Sequence, residues 1–379
     1  MNTTGRKKIN VIYCLTGNSF DGASNFANEL CMRLSQQYNL TVIVPIIPQY
    51  RFCELAIWNN KSFVIRLFST TKFAIKCLVS EIVRRKLRWV YHSKSNKTRI
   101  KRCWLYPREA VCREADVVIL NNWYLVVGLK KIWDSERGKF LIYHHHYQQL
   151  ENTTVNDLKD SIYRKSVNLV TSFSTSLQVR KKVDRAPHII YPGIDRNVFF
   201  PKNEQESSRS NLRVGLYRGF EKRKGYDLGL EAINRVKKNY QFEVAVIQGS
   251  SRYSCPEGFQ VYSELSNVEM GELMRELDIF IFPSLQEGFG LPPLEAMASG
   301  CAVISTRVGA VEEYSTHLKD IYIVEPGNVD AIENALTLFI EDYKALEKLR
   351  IAAAQVGVNW YSWEQAALQS QKVIDKSAR

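Results

Sequence analysis

The chain has 379 residues, of which 45% are hydrophobic and 24% charged, with a formal net charge of +13. This balance excludes a disordered chain, and the length exceeds what one ordinary core organises, so two α/β domains are expected. No run of about 18 uncharged apolar residues occurs, so no spanning helix is expected; the longest candidate, 117–129, contains Asn121 and Asn122. The eight cysteines are scattered with no C-x-x-C pair, which argues against a zinc ribbon, a redox motif or a disulfide framework and for reduced, mostly buried thiols.

In chain order, Arg6, Lys7 and Lys8 precede an apolar stretch, as in a signal peptide. Asn10 interrupts that stretch and no small-residue cleavage site follows, so residues 8–15 read as a buried strand of a cytoplasmic protein. A small-residue loop at 16–24 follows. Phe26, Leu30 and Leu34 then recur at helical spacing up to about Tyr38, and 40–44 is the next strand. This order opens a parallel α/β sheet. Segment 84–108 holds ten lysines and arginines with no acidic residue, interleaved with Trp89, Tyr91 and Trp104. Such a segment attracts a polyanion: a membrane surface, nucleic acid or a phosphorylated substrate. No zinc-finger, RNA-recognition or KH signature supports the nucleic-acid reading.

Residues 116–120 and 140–143 read as strands, each running into polar residues. In open α/β sheets ligands bind beyond the carboxyl ends of strands. Asn121, Asn122 and Trp123, and the run His144-His145-His146, are therefore expected to line a cleft. His144 and His146 have no evident third ligand, so a metal is not expected there. Further elements are a strand at 166–171, a helix at 174–183 and a strand at 189–194. The polar stretch 203–211 is the best linker candidate. A second α/β series then begins: strand 212–217, helix 226–238, strands 242–248, 279–283 and 302–305.

The most informative stretch is 283–300. A strand ends at Pro283, and a turn follows in which Gly288 and Gly290 expose backbone amides. A helix is expected to start near Pro292 and end at Gly300. Such a turn and helix start bind anions and suit a diphosphate. Glu287 precedes the glycines, and Glu295 is expected in the first helical turn. Cations follow the strand at 212–217: Arg218, Lys222, Arg223 and Lys224.

With its two glutamates separated by seven residues, Glu287 to Gly300 resembles the E-G-F-G-L-P-x-x-E-A-M-A-x-G signature of the retaining glycosyltransferases of family 4, which have the GT-B fold. Other segments are similar in the same order. Asp21-Gly22-Ala23-Ser24 occupies the family's first glycine loop, with Asp21 where the family usually has a second glycine. His145 is similar to its mid-chain histidine, Pro192-Gly193-Ile194-Asp195 to its turn, and Tyr361-Ser362-Trp363-Glu364 to the start of its last helix. The family's arginine and Lys-Gly stand five residues apart, whereas Arg218 and Lys224-Gly225 are six apart and Arg223 is five from Arg218. Residues 45–115 are not covered.

The resemblance implies two Rossmann-like doubly wound α/β domains facing a central cleft. Residues 1–200 would bind the acceptor and 201–358 the nucleotide sugar, and a helix in 359–379 would cross back onto the N-terminal domain. It implies metal-independent transfer of a hexose, with retention, from a nucleotide-diphosphate sugar to a glycan acceptor, lipid-linked and part of surface polysaccharide synthesis. An enzyme with a soluble acceptor is the alternative. The basic segment would then place the protein at the inner, anionic face of a membrane. The catalytic set would be Glu287, Arg218, Lys224 and His145. Gly22, Arg223, the amides of Gly288, Phe289, Gly290 and Leu291, and Glu295 would bind the donor, while Asn121, Asn122 and Trp123 would face the acceptor. No D-x-D pair occurs, so neither a bridging metal nor another cofactor is expected.

Overall fold

The computed structural model describes residues 9–14, 22–45, 99–103, 112–129, 133, 135, 139–145, 153–202, 211–219, 222–248 and 255–378. Two compact units result. The first comprises Met1–Thr171, Thr175–Ile190 and Ala366–Arg379, the second Ser172–Ser174 and Tyr191–Gln365. The division thus falls at 190/191, about ten residues before the boundary read from sequence, and the chain returns to the first unit at Ala366.

The first unit holds a seven-stranded parallel sheet. Its strands are β1 (Asn10–Cys14), β2 (Asn39–Pro45), β3 (Arg99–Cys103), β4 (Val117–Leu120), β5 (Phe140–His144), β6 (Val167–Val170) and β7 (His188–Ile189). Their order is β3-β2-β1-β4-β5-β6-β7. Helices α1 (Gly22–Gln37), α2 (Thr153–Lys165) and α3 (Phe173–Arg180) connect them. All of β4 and β5 is buried, as expected for a parallel sheet covered on both faces. Strand β3 was not legible in sequence, because its Arg-Ile-Lys-Arg-Cys lacks the apolar run of a central strand; it lies at the sheet edge beside β2. The rest of the basic segment, 84–98 and 104–108, lies outside the described residues, as do the linker 203–210, Asp21 and His146.

The second unit holds β8 (Arg213–Arg218), β9 (Glu243–Gln248), β10 (Gln260–Ser263), β11 (Ile279–Phe282), β12 (Ala302–Thr306) and β13 (Tyr322–Val324), all parallel, in the order β10-β9-β8-β11-β12-β13. Helices α4 (Tyr226–Val236), α5 (Asn267–Arg275), α6 (Leu291–Ala298), α7 (Val311–Tyr314), α8 (Val329–Glu341) and α9 (Tyr343–Asn359) follow the strands in turn. Period-two alternation divides the core between the sheet faces. Phe280, Phe282 and Val303 pack with Leu294 and Met297 of α6, whereas Ile279, Ile281 and Ile304 pack with Ile233 of α4 and Leu336 of α8. The last helix, α10 (Trp363–Ser377), begins in the second unit and continues in the first. There Ser370 Oγ lies 3.2 Å from the Tyr143 hydroxyl, and Asp375 accepts from Tyr38 at 2.8 Å.

Both sheets reverse their strand order at one place, between β1 and β4 and between β8 and β11. Crossovers leave those neighbours in opposite directions, so a crevice opens beyond their carboxyl ends.

Candidate functional site

At the β8/β11 reversal, β8 ends at Arg218 and a 3-10 turn, Lys222–Lys224, leads into α4. Gly225 caps that helix with φ of 64°, and a Cβ there would lie 1.9 Å from the Pro283 carbonyl oxygen, so only glycine fits. The close approach ties the cationic turn to the end of β11. The Leu285 amide also donates to the Arg223 carbonyl at 2.6 Å.

Two of the predicted site residues meet directly. Lys224 Nζ donates to Glu287 Oε1 at 2.6 Å, and Ser284 Oγ donates to the same oxygen at 2.7 Å. Arg223 Nη1 lies 3.8 Å from Glu287 Oε2 and donates to the Gln286 carbonyl at 2.9 Å. The Glu287 side chain is only 10% exposed, so this pair is screened far less than a surface pair. The Lys224 stem crosses Gly219, where a Cβ would lie 2.2 Å from Lys224 Cγ. Arg218, one residue earlier, lies with its guanidinium 4.3 Å from the centre of the Tyr226 ring.

The glycine turn is held by its carbonyls. Ser172 Oγ donates to Gly288 O at 2.7 Å, the Ala310 amide to Phe289 O at 2.8 Å, and the Tyr314 hydroxyl to Gly290 O at 3.0 Å. In a trans peptide the C=O and the following N–H point in opposite directions, and no described peptide is cis. The amides of Phe289, Gly290 and Leu291 therefore face away from those three donors. Tyr314 is buried, and burial first, then the charges of Glu287, Glu295 and Glu313, raise its pKa well above that of a free phenol. It therefore remains a donor at neutral pH. Glu313 accepts from the amides of Phe173 and Ser174 at 2.8 and 2.9 Å, tying these residues to the second unit.

One expectation shifts. Helix α6 starts at Leu291 with Gly290 as its cap and prolines at its first turn, so the first turn holds no acidic residue and Glu295 lies in the second. The sequence reading began the helix one residue late, at the proline. The Phe289 side chain is 6% exposed and packs 5.6 Å from Tyr314 and 5.8 Å from Trp360, ring centre to ring centre, so only its backbone is available, in keeping with the amide role expected of it.

In the first unit the structure separates the roles of His144 and His145. Buried His144 has Nε2 2.7 Å from Asn168 Oδ1 and its ring edge-on to Tyr163 at 4.0 Å. The Asn168 amide donates to Tyr163 O and Ser166 O, so its oxygen is the acceptor and His144 Nε2 carries the proton. Burial lowers the His144 pKa to about 4, leaving it neutral and structural. His145 is half-buried, with Nε2 2.7 Å from Asn121 Oδ1, and it stacks on Tyr143 with ring centres 5.9 Å apart. His145 and Asn121 are thus brought together, and Asn122 follows half-buried. Trp123 is a correction: it is 9% exposed and packs in the core with Leu125, Val126 and Ile142, with little surface left for an acceptor. The backbone of Gly22 opens α1. Sequence reasoning missed Ser284, Ser172 and Tyr314. Ser284 carries a weak signal, as a polar residue just past a strand end; Tyr314 and Ser172 carry none, since each reaches the turn from a distant part of the chain.

Residues 199–356 match the model of the family described as Glycosyl transferases group 1. The MMP alpha-(1->4)-mannosyltransferase of Mycolicibacterium hassiacum is 25% identical over 201 residues, which is 50% of this chain and 48% of that protein. The lipopolysaccharide core biosynthesis mannosyltransferase LpsB of Rhizobium meliloti is 26% identical over 206 residues, 48% of this chain and 57% of that protein. The chain thus spans about half the length of these curated relatives. Among solved structures, Anabaena HepE, in complex with UDP and glucose, has a TM-score of 0.72 at 12% identity, covering 97% of this chain and 100% of that one. Sucrose-phosphate synthase from Thermosynechococcus elongatus has 0.69 at 15% identity, covering 97% and 99%. The fold is GT-B, with two Rossmann-like units.

Proposed function

Because residues 199–356 match the Glycosyl transferases group 1 model, we propose that this chain is a retaining glycosyltransferase that moves a hexose from a nucleoside-diphosphate donor to a glycan acceptor. The observation that carries the proposal is the Lys224–Glu287–Ser284 cluster, set beside a glycine turn whose amides face away from the groups that hold its carbonyls, at the place where the strand order reverses. Negative charge grows on the leaving diphosphate as the sugar bond breaks, and fixed donors stabilise it. Lys224, Arg223, Arg218 and the amides of Phe289, Gly290 and Leu291 supply these donors without a metal. A diphosphate competes for Lys224 and releases Glu287, whose carboxylate then accepts from hydroxyls of the donor sugar. Glu295 holds the ribose. His145, held through its Nε2 by buried Asn121, offers its ring to the acceptor.

The relatives named as mannosyltransferases of lipopolysaccharide core synthesis support a mannosyl donor and a surface glycan. A lipid-linked acceptor would be reached through the basic segment 84–108; sedimentation with anionic liposomes at low salt tests this, and failure to sediment removes it. The transfer itself is tested by thermal shift against UDP, GDP, dTDP and their sugars, since a bound ligand raises apparent stability by mass action. One base is expected to stand out. No shift with any of them rejects the proposal.

A further inference from the structure

Arg218 has a partner that its place in the sequence does not suggest. Its Nη1 donates to the Cys255 thiol at 3.3 Å, while its guanidinium rests on the Tyr226 ring. The Tyr226 hydroxyl points at the same sulfur, 3.9 Å away. The thiol donates in turn to Gln248 Oε1 at 3.8 Å, and Gln248 Nε2 donates to Ser263 Oγ at 3.0 Å. Gln248 ends β9 and is 3% exposed, and Ser263 ends β10. A hydrogen-bonded chain thus runs across the carboxyl ends of β8, β9 and β10. Because the Gln248 amide is committed to Ser263, its oxygen faces Cys255 in a fixed direction.

An arginine stem is flexible, but its planar head has a fixed fork of donors. The Tyr226 face sets the plane of that head, and the bond to sulfur sets its rotation within the plane. The thiol differs from the carboxylate that holds Lys224. Sulfur is a weak acceptor and carries no charge as a thiol, so it orients a guanidinium without neutralising it. We propose that Cys255, itself held by Gln248, is a positioning residue for Arg218 and sets the direction from which its guanidinium meets the donor diphosphate. This inference rests on reading the second unit as a nucleoside-diphosphate site.

The test is calorimetric titration of the full chain with UDP, GDP and dTDP, followed by use of the one that binds. Cys255→Ala is expected to weaken its binding about fivefold, and Cys255→Ser to restore it to within about twofold, the scale of one weak hydrogen bond. In an Arg218→Ala background, Cys255→Ala is expected to change nothing further, because the group it positions is gone. A purely structural cysteine would weaken binding equally in both backgrounds and lower the melting temperature. That additive result, or unchanged binding by Cys255→Ala, overturns the inference. If Cys255→Ala does not fold, Gln248→Met breaks the same chain one link further on and is held to the same two outcomes. Absence of binding by the unsubstituted protein overturns the reading of the site and this inference with it, whereas binding that ignores Cys255 overturns the inference alone.

Discussion

The two units share a strand order and differ in what they present where it reverses. Beyond β8 and β11 stand Arg223 and Lys224 with Glu287, held by one another and by backbone, and Arg218, held by Cys255 and the Tyr226 ring. Beyond β4, at the first unit's reversal, and its neighbour β5 stand buried Asn121 and half-buried His145, amide and imidazole side chains in place of guanidinium, ammonium and carboxylate, joined by one hydrogen bond, with the His145 ring stacked on Tyr143. Under the proposed function, one scaffold would yield a site for an anion and a site for hydroxyls, with the strand-end loops making the difference. The sharpest way to break this comparison is to remove the cations. An Arg218→Ala, Lys224→Ala double variant is expected to lose at least about a hundredfold in kcat for transfer from the nucleotide sugar. Near-normal turnover would mean that the second reversal does not grip the diphosphate.

A smaller effect with a distinctive direction follows from the Lys224–Glu287 pair. Glu287→Gln keeps the shape but removes the charge that occupies Lys224. Its affinity for the nucleoside diphosphate is expected to stay level or improve, because less competition faces the incoming phosphate. Its kcat is expected to fall about tenfold to a hundredfold, because the carboxylate no longer accepts from the sugar. Loss of affinity with kcat intact, by titration and steady-state rates, would reverse these roles.

Legibility followed the length of the contacts. The Glu287–Gly300 stretch could be read because strand end, glycines, prolines and both glutamates are close in sequence, and local chemistry fixes a turn followed by a helix. The central strands β4, β5, β11 and β12 were legible as apolar runs, since a parallel sheet buries both faces. What escaped depends on partners brought from afar. Tyr314 reaches Gly290 across 24 residues and Ser172 reaches Gly288 across 116, and no spacing rule predicts either. Trp123 escaped in the opposite sense: its position after a strand suggested a cleft, but its bulk is better satisfied in the core. β3 was hidden because an edge strand needs no apolar run.

The comparison is sharpened on the first unit's side by His145→Ala. Its acceptor kcat/KM is expected to fall about tenfold, the worth of one hydrogen bond at a reacting partner, while nucleoside-diphosphate affinity stays unchanged. A matching loss of diphosphate affinity would show that the two reversals do not divide the substrates.

The smallest effect concerns His144, next in the chain but different in role. Its folded pKa of about 4 lies below the ordinary 6.5, mainly through burial, with the Lys159 charge adding to the lowering and the Asn168 hydrogen bond opposing it. The folded state therefore favours the neutral ring. That preference is fully present above the unfolded value and is lost as pH falls from about 6.5 toward 4, because the unfolded chain takes up the proton first. His144→Gln keeps an N–H for Asn168 and removes the titration. Its urea midpoint is expected to fall less steeply than that of the unsubstituted protein across this window. The carboxylates that titrate lower in the range are common to both proteins, so the difference isolates the imidazole. Equal slopes would mean that His144 is protonated in the fold, and the assignment of adjacent histidines to packing and to the acceptor would fail.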